Sequence, residues 1–112
     1  MTEYNPDSWV ILKMTFKDQV IYKVLAGWSG SYTHGSSWKL NSGITKAEDV
    51  GDAYLFHGHS GSTYRCPKGR YGLAMATSDI YETMIRGYSS QVIVLDYCEW
   101  DEFDFGEAAI AV

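Results

Sequence analysis

Two stretches near the N-terminus alternate between apolar and polar residues with a period of two, the pattern of a β-strand with one buried face. In residues 9–16 the side chains of Val10, Leu12 and Met14 share one face, and residues 20–26 repeat the alternation. The short polar break between the two stretches predicts a hairpin, because two such runs joined by a few turn residues pair with each other.

The rest of the chain predicts shorter strands. Glycine, serine and acidic residues interrupt the apolar runs, and Pro67 ends a strand because proline cannot donate a hydrogen bond to the next strand. The predicted strands lie at residues 36–45, 53–59, 62–66 and 91–97, with a turn at 46–52 and a further strand or frayed tail at 108–112.

Residues 78–88 depart from this pattern, since their apolar side chains recur at helical spacing. Ile80 and Met84 fall on one helical face, and Ser78 or Asp79 could cap the first turn. The sequence therefore predicts an α+β fold: an antiparallel sheet of about five or six strands with one short helix, about residues 78–88, packed on one face.

Composition adds that the chain can build one core. A length of 112 residues suits a single domain, 1–112, and the hydrophobic fraction of 46% excludes global disorder. The apolar faces of the predicted elements give the expected core: Val10, Leu12, Met14, Val24, Trp38, Leu55, Ile80, Met84, Ile85, Ile93 and Leu95.

The sequence also predicts a compartment. No apolar run approaches the roughly 20 residues that cross a bilayer, and the N-terminus carries acids where a signal peptide carries Lys or Arg. We expect a cytoplasmic protein without membrane contact, in which Cys66 and Cys98 are free thiols. Arg65 and Lys68 would favour the thiolate of Cys66, whereas Cys98 is expected to be a small buried hydrophobic residue.

The charge is unevenly distributed along the chain. The net charge is −5, yet residues 1–98 contain nine basic and nine acidic residues, so the whole excess lies after Cys98. A neutral body with an acidic end argues against a nucleic-acid partner, which requires a basic face. It favours a protein partner with a basic surface, or simply solubility.

Large aromatic residues alternate with carboxylates in this acidic segment, residues 99–107. One interpretation is an interface, in which aromatic anchors lie within an acidic rim. An equally open interpretation is that the rings pack on the core while the acids face water. The candidate partner-binding residues are Glu99, Trp100, Asp101, Glu102, Phe103, Asp104 and Phe105.

A catalytic alternative centres on two histidines. His57 and His59 are two residues apart on a predicted strand, so both are expected on one face. A histidine base with Arg65 as the phosphate-binding cation would supply the minimum of a ribonuclease-like site. With Cys66 or His34 the histidines supply too few ligands for a usual four-ligand zinc site, so no metal or other cofactor is predicted.

The segment YLFHGHS, residues 54–60, is similar to the strand-borne His-Gly-Thr/Ser motif of ADP-ribosyl transferases. The resemblance implies that its first histidine contacts the ribose of a nicotinamide nucleotide. It further implies that Tyr71 or Tyr81 stacks on the nicotinamide and that Glu99 or Glu102 supplies the late acid. The similarity covers only a few residues of a chain that is short for that fold.

Two glycine- and serine-rich loops resemble each other. The sequence GWSGS at residues 27–31 recurs as GHSGS at residues 58–62. Glycine is the usual residue where a hairpin loop needs a positive φ, so two similar turns explain the repetition, and a pair of matching binding loops is the alternative. The loop candidates are Trp28, Ser29, Tyr32, His59, Ser60 and Tyr64.

The blocks AGWSGSYTHGSSWKLNSGI and FHGHSGSTYRC, within about residues 20–70, resemble small uncharacterised proteins of tailed bacteriophages. The resemblance implies a role in an infected bacterium, where such proteins often bind and inhibit a host enzyme or a defence complex. The leading interpretation is therefore a non-enzymatic inhibitor that acts through its acidic, aromatic surface. The alternatives are an enzyme centred on His57, His59 and Arg65, and a small virion or assembly subunit.

Overall fold

The computed structural model describes residues 3–16, 19–28, 37–73, 75–88 and 91–105. These residues form eight strands, one α-helix and two short 3-10 helices. The strands are β1 (Glu3–Tyr4), β2 (Ser8–Phe16), β3 (Gln19–Trp28), β4 (Ser37–Leu40), β5 (Ile44–Asp49), β6 (Ala53–Gly58), β7 (Thr63–Pro67) and β8 (Val92–Val94). Helix α1 spans Met75–Tyr88, and the 3-10 helices span Lys68–Arg70 and Trp100–Glu102. No helix in these described ranges is long and apolar enough to cross a bilayer.

The strands form two sheets of four. Sheet A has the order β1-β7-β6-β5 and sheet B the order β4-β3-β2-β8. Neighbouring strands are antiparallel except β1 and β7, which are parallel. The predicted α+β class and the predicted hairpin are confirmed, whereas the single sheet of five or six strands matches the structure only roughly.

The predicted strand at 36–45 divides into β4 and β5, which belong to different sheets. The chain changes sheet at Asn41, whose backbone N–H donates to Val24 O and whose side-chain Oδ1 accepts from Val24 N at 2.8 Å. Gly43 follows with φ of 140°, a backbone conformation that favours glycine. The side chain of Asn41 thus completes the hydrogen bonding of β3 where β4 ends.

Strand β2 is buried on both faces, which makes the fold three layers thick. Trp9 and Ile11 face sheet A, while Val10 and Leu12 face helix α1. A strand between two apolar layers reads as a continuous apolar run rather than a clean alternation. The core between the sheets comprises Trp9, Ile11, Val24, Ala26, Ile44, Tyr54, Phe56, Tyr64, Cys66, Trp100 and Phe105.

Helix α1 covers the outer face of sheet B and is longer than predicted. Ile80 and Met84 pack on this sheet, as their spacing predicted. The helix begins at Met75, so Ser78 lies inside it and does not cap its first turn. At Gly27 the helix approaches the sheet closely, since a Cβ there would lie 2.9 Å from Thr77 Cγ2.

Several local predictions were wrong, and edge positions explain two of them. Trp38 and Ile93 are 45% and 47% exposed, because β4 and β8 are the edge strands of sheet B. Leu55 is only half-buried, since it points outward from sheet A. Residues 46–49 belong to β5 rather than to a turn. The possible strand at 108–112 lies outside the described residues.

Candidate functional site

The chain that follows β8 packs several apolar side chains against the core between the two sheets. Trp100 is fully buried, Phe105 is 5% exposed and Phe103 is partly buried against the same cluster. The ring of Trp100 lies 5.9 Å from Tyr71 and 5.4 Å from Phe103, measured between centroids. Trp100 and Phe105 therefore belong to the interior, and Phe103 packs against it with part of its ring accessible.

The carboxylates of the same segment face solvent. Asp101 and Glu102 share a 3-10 helix with the buried Trp100, yet both are exposed, as are Glu99 and Asp104. Within the described part of the chain, Asp96, Glu99, Asp101 and Glu102 form no ion pair. We call the following exposed residues the acidic surface: Asp96, Tyr97, Glu99, Asp101, Glu102 and Asp104.

Tyr97 is the exposed aromatic residue of the acidic surface, and it is not among the site residues predicted from the sequence. Its side chain is 45% exposed, although its ring also contacts Tyr71 at 5.3 Å. An aromatic residue that directly follows Asp96 and precedes the acidic segment was the available signal. Tyrosine suits the edge of an interface, because its ring is apolar and its hydroxyl can remain hydrated.

Beside Tyr97, the ammonium group of Lys68 lies among acidic and aromatic side chains. Lys68 Nζ donates to Asp49 Oδ1 at 2.7 Å and lies 4.9 Å from the centroid of the Tyr54 ring. The hydrogen bond to Asp49 raises the pKa of Lys68, and the nearby Tyr97 and Asp101 act in the same direction. Burial, followed by a hydrogen bond to Tyr97, raises the pKa of Tyr54 to about 12.

His57 lies on the opposite, outward face of sheet A, where it is paired with an acid. Its Nε2 lies 2.7 Å from Glu48 Oε1, and its Nδ1 lies 3.4 Å from Thr63 Oγ1. Arg65 points from the same face of the neighbouring strand, but its guanidinium is bound to Asp52 at 2.8 Å. The structure thus places His57 and Arg65 on one face, each with an acidic partner of its own.

The contact between Glu48 and His57 is expected to change the pH at which Glu48 titrates. The hydrogen bond from His57, assisted by the charge of Lys46, lowers the pKa of Glu48 below its ordinary 4.5. A lowered pKa favours the folded state above pH 4.5, and this contribution is lost as the pH falls through the lowered value. His57→Ala is expected to raise the Glu48 pKa, measured by carboxyl carbon NMR. His59→Ala is the matched control, and an equal shift in that variant would contradict the pairing.

Other candidate residues are not brought together. His59 lies in the turn after β6, its backbone N–H donating to Gly43 O, rather than on the strand beside His57. In the described ranges no three His, Cys, Asp or Glu side chains are grouped as metal ligands.

Burial raises the pKa of the Cys66 thiol well above its usual value, so the predicted thiolate was wrong. Cys98 is only partly buried, and burial also raises the pKa of its thiol.

The tyrosines proposed for nicotinamide stacking lie away from His57. Tyr81 is on helix α1, which covers sheet B, whereas His57 faces outward from sheet A. The Tyr71 hydroxyl lies in the interior, where it accepts from Ile11 N at 3.1 Å and donates to Leu95 O at 2.5 Å. The transferase-like arrangement is therefore not assembled, and the ribonuclease-like site stays a prediction.

Residues of the two glycine- and serine-rich loops that the structure describes have separate hydrogen-bond partners. Ser60 N and Oγ both bond to Ser42 Oγ in the β6–β7 turn, while Tyr64 is buried in the core. Trp28 donates its Nε1–H to Asn5 O at 2.9 Å. Ser29 and Tyr32 lie outside the described residues.

Comparison with protein-family models, with curated proteins and with solved structures finds no match. Function is therefore inferred from the contacts and charges of the chain itself.

Proposed function

We propose that this protein is a non-enzymatic binding protein that presents its acidic surface to a partner protein with a basic surface. The observation that supports this most directly is that residues 96–105 separate buried rings from exposed carboxylates. Their largest rings are anchored in the core, while Asp96, Glu99, Asp101 and Glu102 point into solvent without an internal cation among the described residues.

A buried anchor gives the carboxylates a fixed arrangement. Trp100 and Phe105 are held by the core, so the backbone that carries the acids does not need to be ordered when a partner binds. Preorganised charges lose less conformational entropy on association than charges on a flexible tail. Fixed carboxylates of one sign also steer a basic partner toward the surface and increase the association rate.

The finer proposal is that the covered basic surface is a working site of the partner, so that binding inhibits it. Sites that act on nucleic acid are lined with Lys and Arg because they must hold phosphates. A fixed cluster of carboxylates competes for such a site electrostatically. This role agrees with the one implied by the resemblance to bacteriophage proteins.

The test compares two variants with the same change in net charge. The test variant carries Glu99→Gln, Asp101→Asn and Glu102→Gln, and the control carries Glu3→Gln, Asp79→Asn and Glu82→Gln, all exposed positions. Each immobilised protein is exposed to bacterial lysate, and the captured proteins are quantified by mass spectrometry. We expect capture of specific partners to fall about tenfold or more in the test variant, since several charge contacts are removed together. The control is expected to stay within about twofold of the wild type.

Equal capture by the wild type and both variants would show that the acidic surface is not the interface. Equal losses in both variants would attribute binding to net charge instead of to this surface. Thermal unfolding of each variant shows that the comparison is made between folded proteins.

A further inference from the structure

The ammonium group of Lys68 occupies a partly enclosed site at the edge of the acidic surface. Two side chains contact it, Asp49 through a hydrogen bond and Tyr54 through its ring face. Tyr97, whose ring lies 6.4 Å from that of Tyr54 between centroids, and Asp101 act on its charge. We call these four residues the lysine cradle. An aromatic face together with carboxylates is the arrangement by which proteins recognise ammonium and guanidinium groups.

The Lys68 side chain can leave the cradle without disturbing the fold around it. Its backbone is held separately, because Lys68 N donates to Asp52 O at 3.0 Å and Pro67 O accepts from the Trp9 side chain at 2.7 Å. The side chain is 30% exposed and packs at the rim. A long, flexible lysine side chain held by one exposed ion pair exchanges readily with solvent.

The cradle has more negative charge than Lys68 neutralises. Asp49 is paired with Lys68, whereas Asp101 forms no ion pair in the described part of the chain. Tyr97 adds an exposed ring beside them. A planar guanidinium could stack on that ring while bonding to a carboxylate, which a single ammonium cannot do as well.

We propose that the lysine cradle is a recognition site for an arginine or lysine side chain of a basic partner. In the free protein, the Lys68 side chain occupies this site. This inference rests on the proposed function and adds to it the position at which the partner is anchored. When the partner binds, its cation replaces the Lys68 ammonium in the cradle, and Lys68 moves into solvent. Lys68 therefore weakens binding, although it lies within the surface that binds.

The test measures the affinity of a hexa-arginine peptide by isothermal titration calorimetry at low salt. Lys68→Met removes the internal cation but keeps an unbranched side chain of similar length. The matched control is Lys39→Met, because Lys39 also loses a ring contact, with Tyr4 at 5.0 Å, and gives the same change in net charge. Lys68→Arg retains an internal cation.

We expect Lys68→Met to bind the peptide about three- to tenfold more tightly than the wild type, the range of one exposed ion pair with a cation–π contact. Lys39→Met and Lys68→Arg are expected to stay within about twofold of the wild type. Adding Asp49→Asn to Lys68→Met should reverse most of the gain, because the carboxylate of the cradle is then lost.

An equal gain in Lys68→Met and Lys39→Met, or no gain in either, would overturn the inference. If the Glu99, Asp101 and Glu102 variant still loses its captured partners in that case, the proposed function stands without the cradle. If the peptide binds none of the variants and the lysate test is also negative, both proposals fail.

Discussion

Replacing Trp100 with alanine is expected to lower the free energy of unfolding by about 3–5 kcal/mol, the range for removing a large buried ring. Trp100 is fully buried and contacts rings from both sheets, including Trp9 at 6.4 Å and Phe56 at 6.3 Å. Alanine would leave a cavity between the sheets, which close packing does not refill. Chemical denaturation followed by circular dichroism measures the loss.

A second variant, Trp100→Phe, separates the effect of the indole N–H group from that of the ring. The indole Nε1 of Trp100 has no hydrogen-bond partner in the described structure, so phenylalanine removes a buried donor at the same time as some apolar area. These two effects oppose each other, because an unpaired buried donor is itself costly. We expect Trp100→Phe to lose less than half as much stability as Trp100→Ala. Equal losses would show that the six-membered ring that phenylalanine retains does not stabilise this region.

Tyr71→Phe is expected to cost about 1–3 kcal/mol, although it removes only one oxygen atom. The Tyr71 hydroxyl connects β2 to the chain after β8, accepting from Ile11 N and donating to Leu95 O. Phenylalanine leaves these two buried backbone groups without that partner. Burial raises the pKa of Tyr71 to about 12, so the hydroxyl is neutral and able to donate at physiological pH.

Two measurements check this prediction. Urea unfolding gives the loss of stability, and amide hydrogen exchange at Ile11 is expected to become faster in Tyr71→Phe. Tyr22→Phe is the control, because Tyr22 contributes ring contacts with Phe103 and Phe105 but no hydroxyl bond among the described residues. If both variants lose the same stability, the hydroxyl bridge does not contribute.

The fold could be predicted from the sequence where a strand has one apolar and one polar face. The hairpin of β2 and β3 was predicted from such alternation, although its register pairs Val10 with Leu25 and places Val24 on the other face, with Trp9 and Ile11. The second buried face of β2 was missed, since alternation identifies one face and does not show that Trp9 and Ile11 are covered by another sheet. Burial on both faces depends on tertiary contacts that a local pattern does not contain.

Residues 46–49 form a strand that was predicted to be a turn. Glu48 and Asp49 favour a turn by composition, yet both lie in β5. Their carboxylates find hydrogen-bond partners on other elements, Glu48 at His57 and Asp49 at Lys68. These partners are distant in sequence, so a prediction from neighbouring residues could not include them.

The candidate site was predictable in its charge but not in its anchors. Acids after Cys98 could be counted directly, whereas the direction of each ring depends on where the chain turns into the core. The 3-10 helix Trp100–Glu102 lies against β5, and this turn directs Trp100 inward and Asp101 outward. Tyr97, one residue before Cys98, remains outside and supplies the exposed ring.

Trp100 follows in the chain the strands that it packs against, and this order affects how the core forms during synthesis. While the ribosome is still adding residues 100–105, the nascent chain has Trp9, Phe56 and Tyr71 without the ring that they pack against in the finished fold. Hydrophobic surface exposed at that stage is recognised by chaperones and promotes aggregation. Native packing between the two sheets is therefore completed only after residues 100–105 have been added and have reached the core.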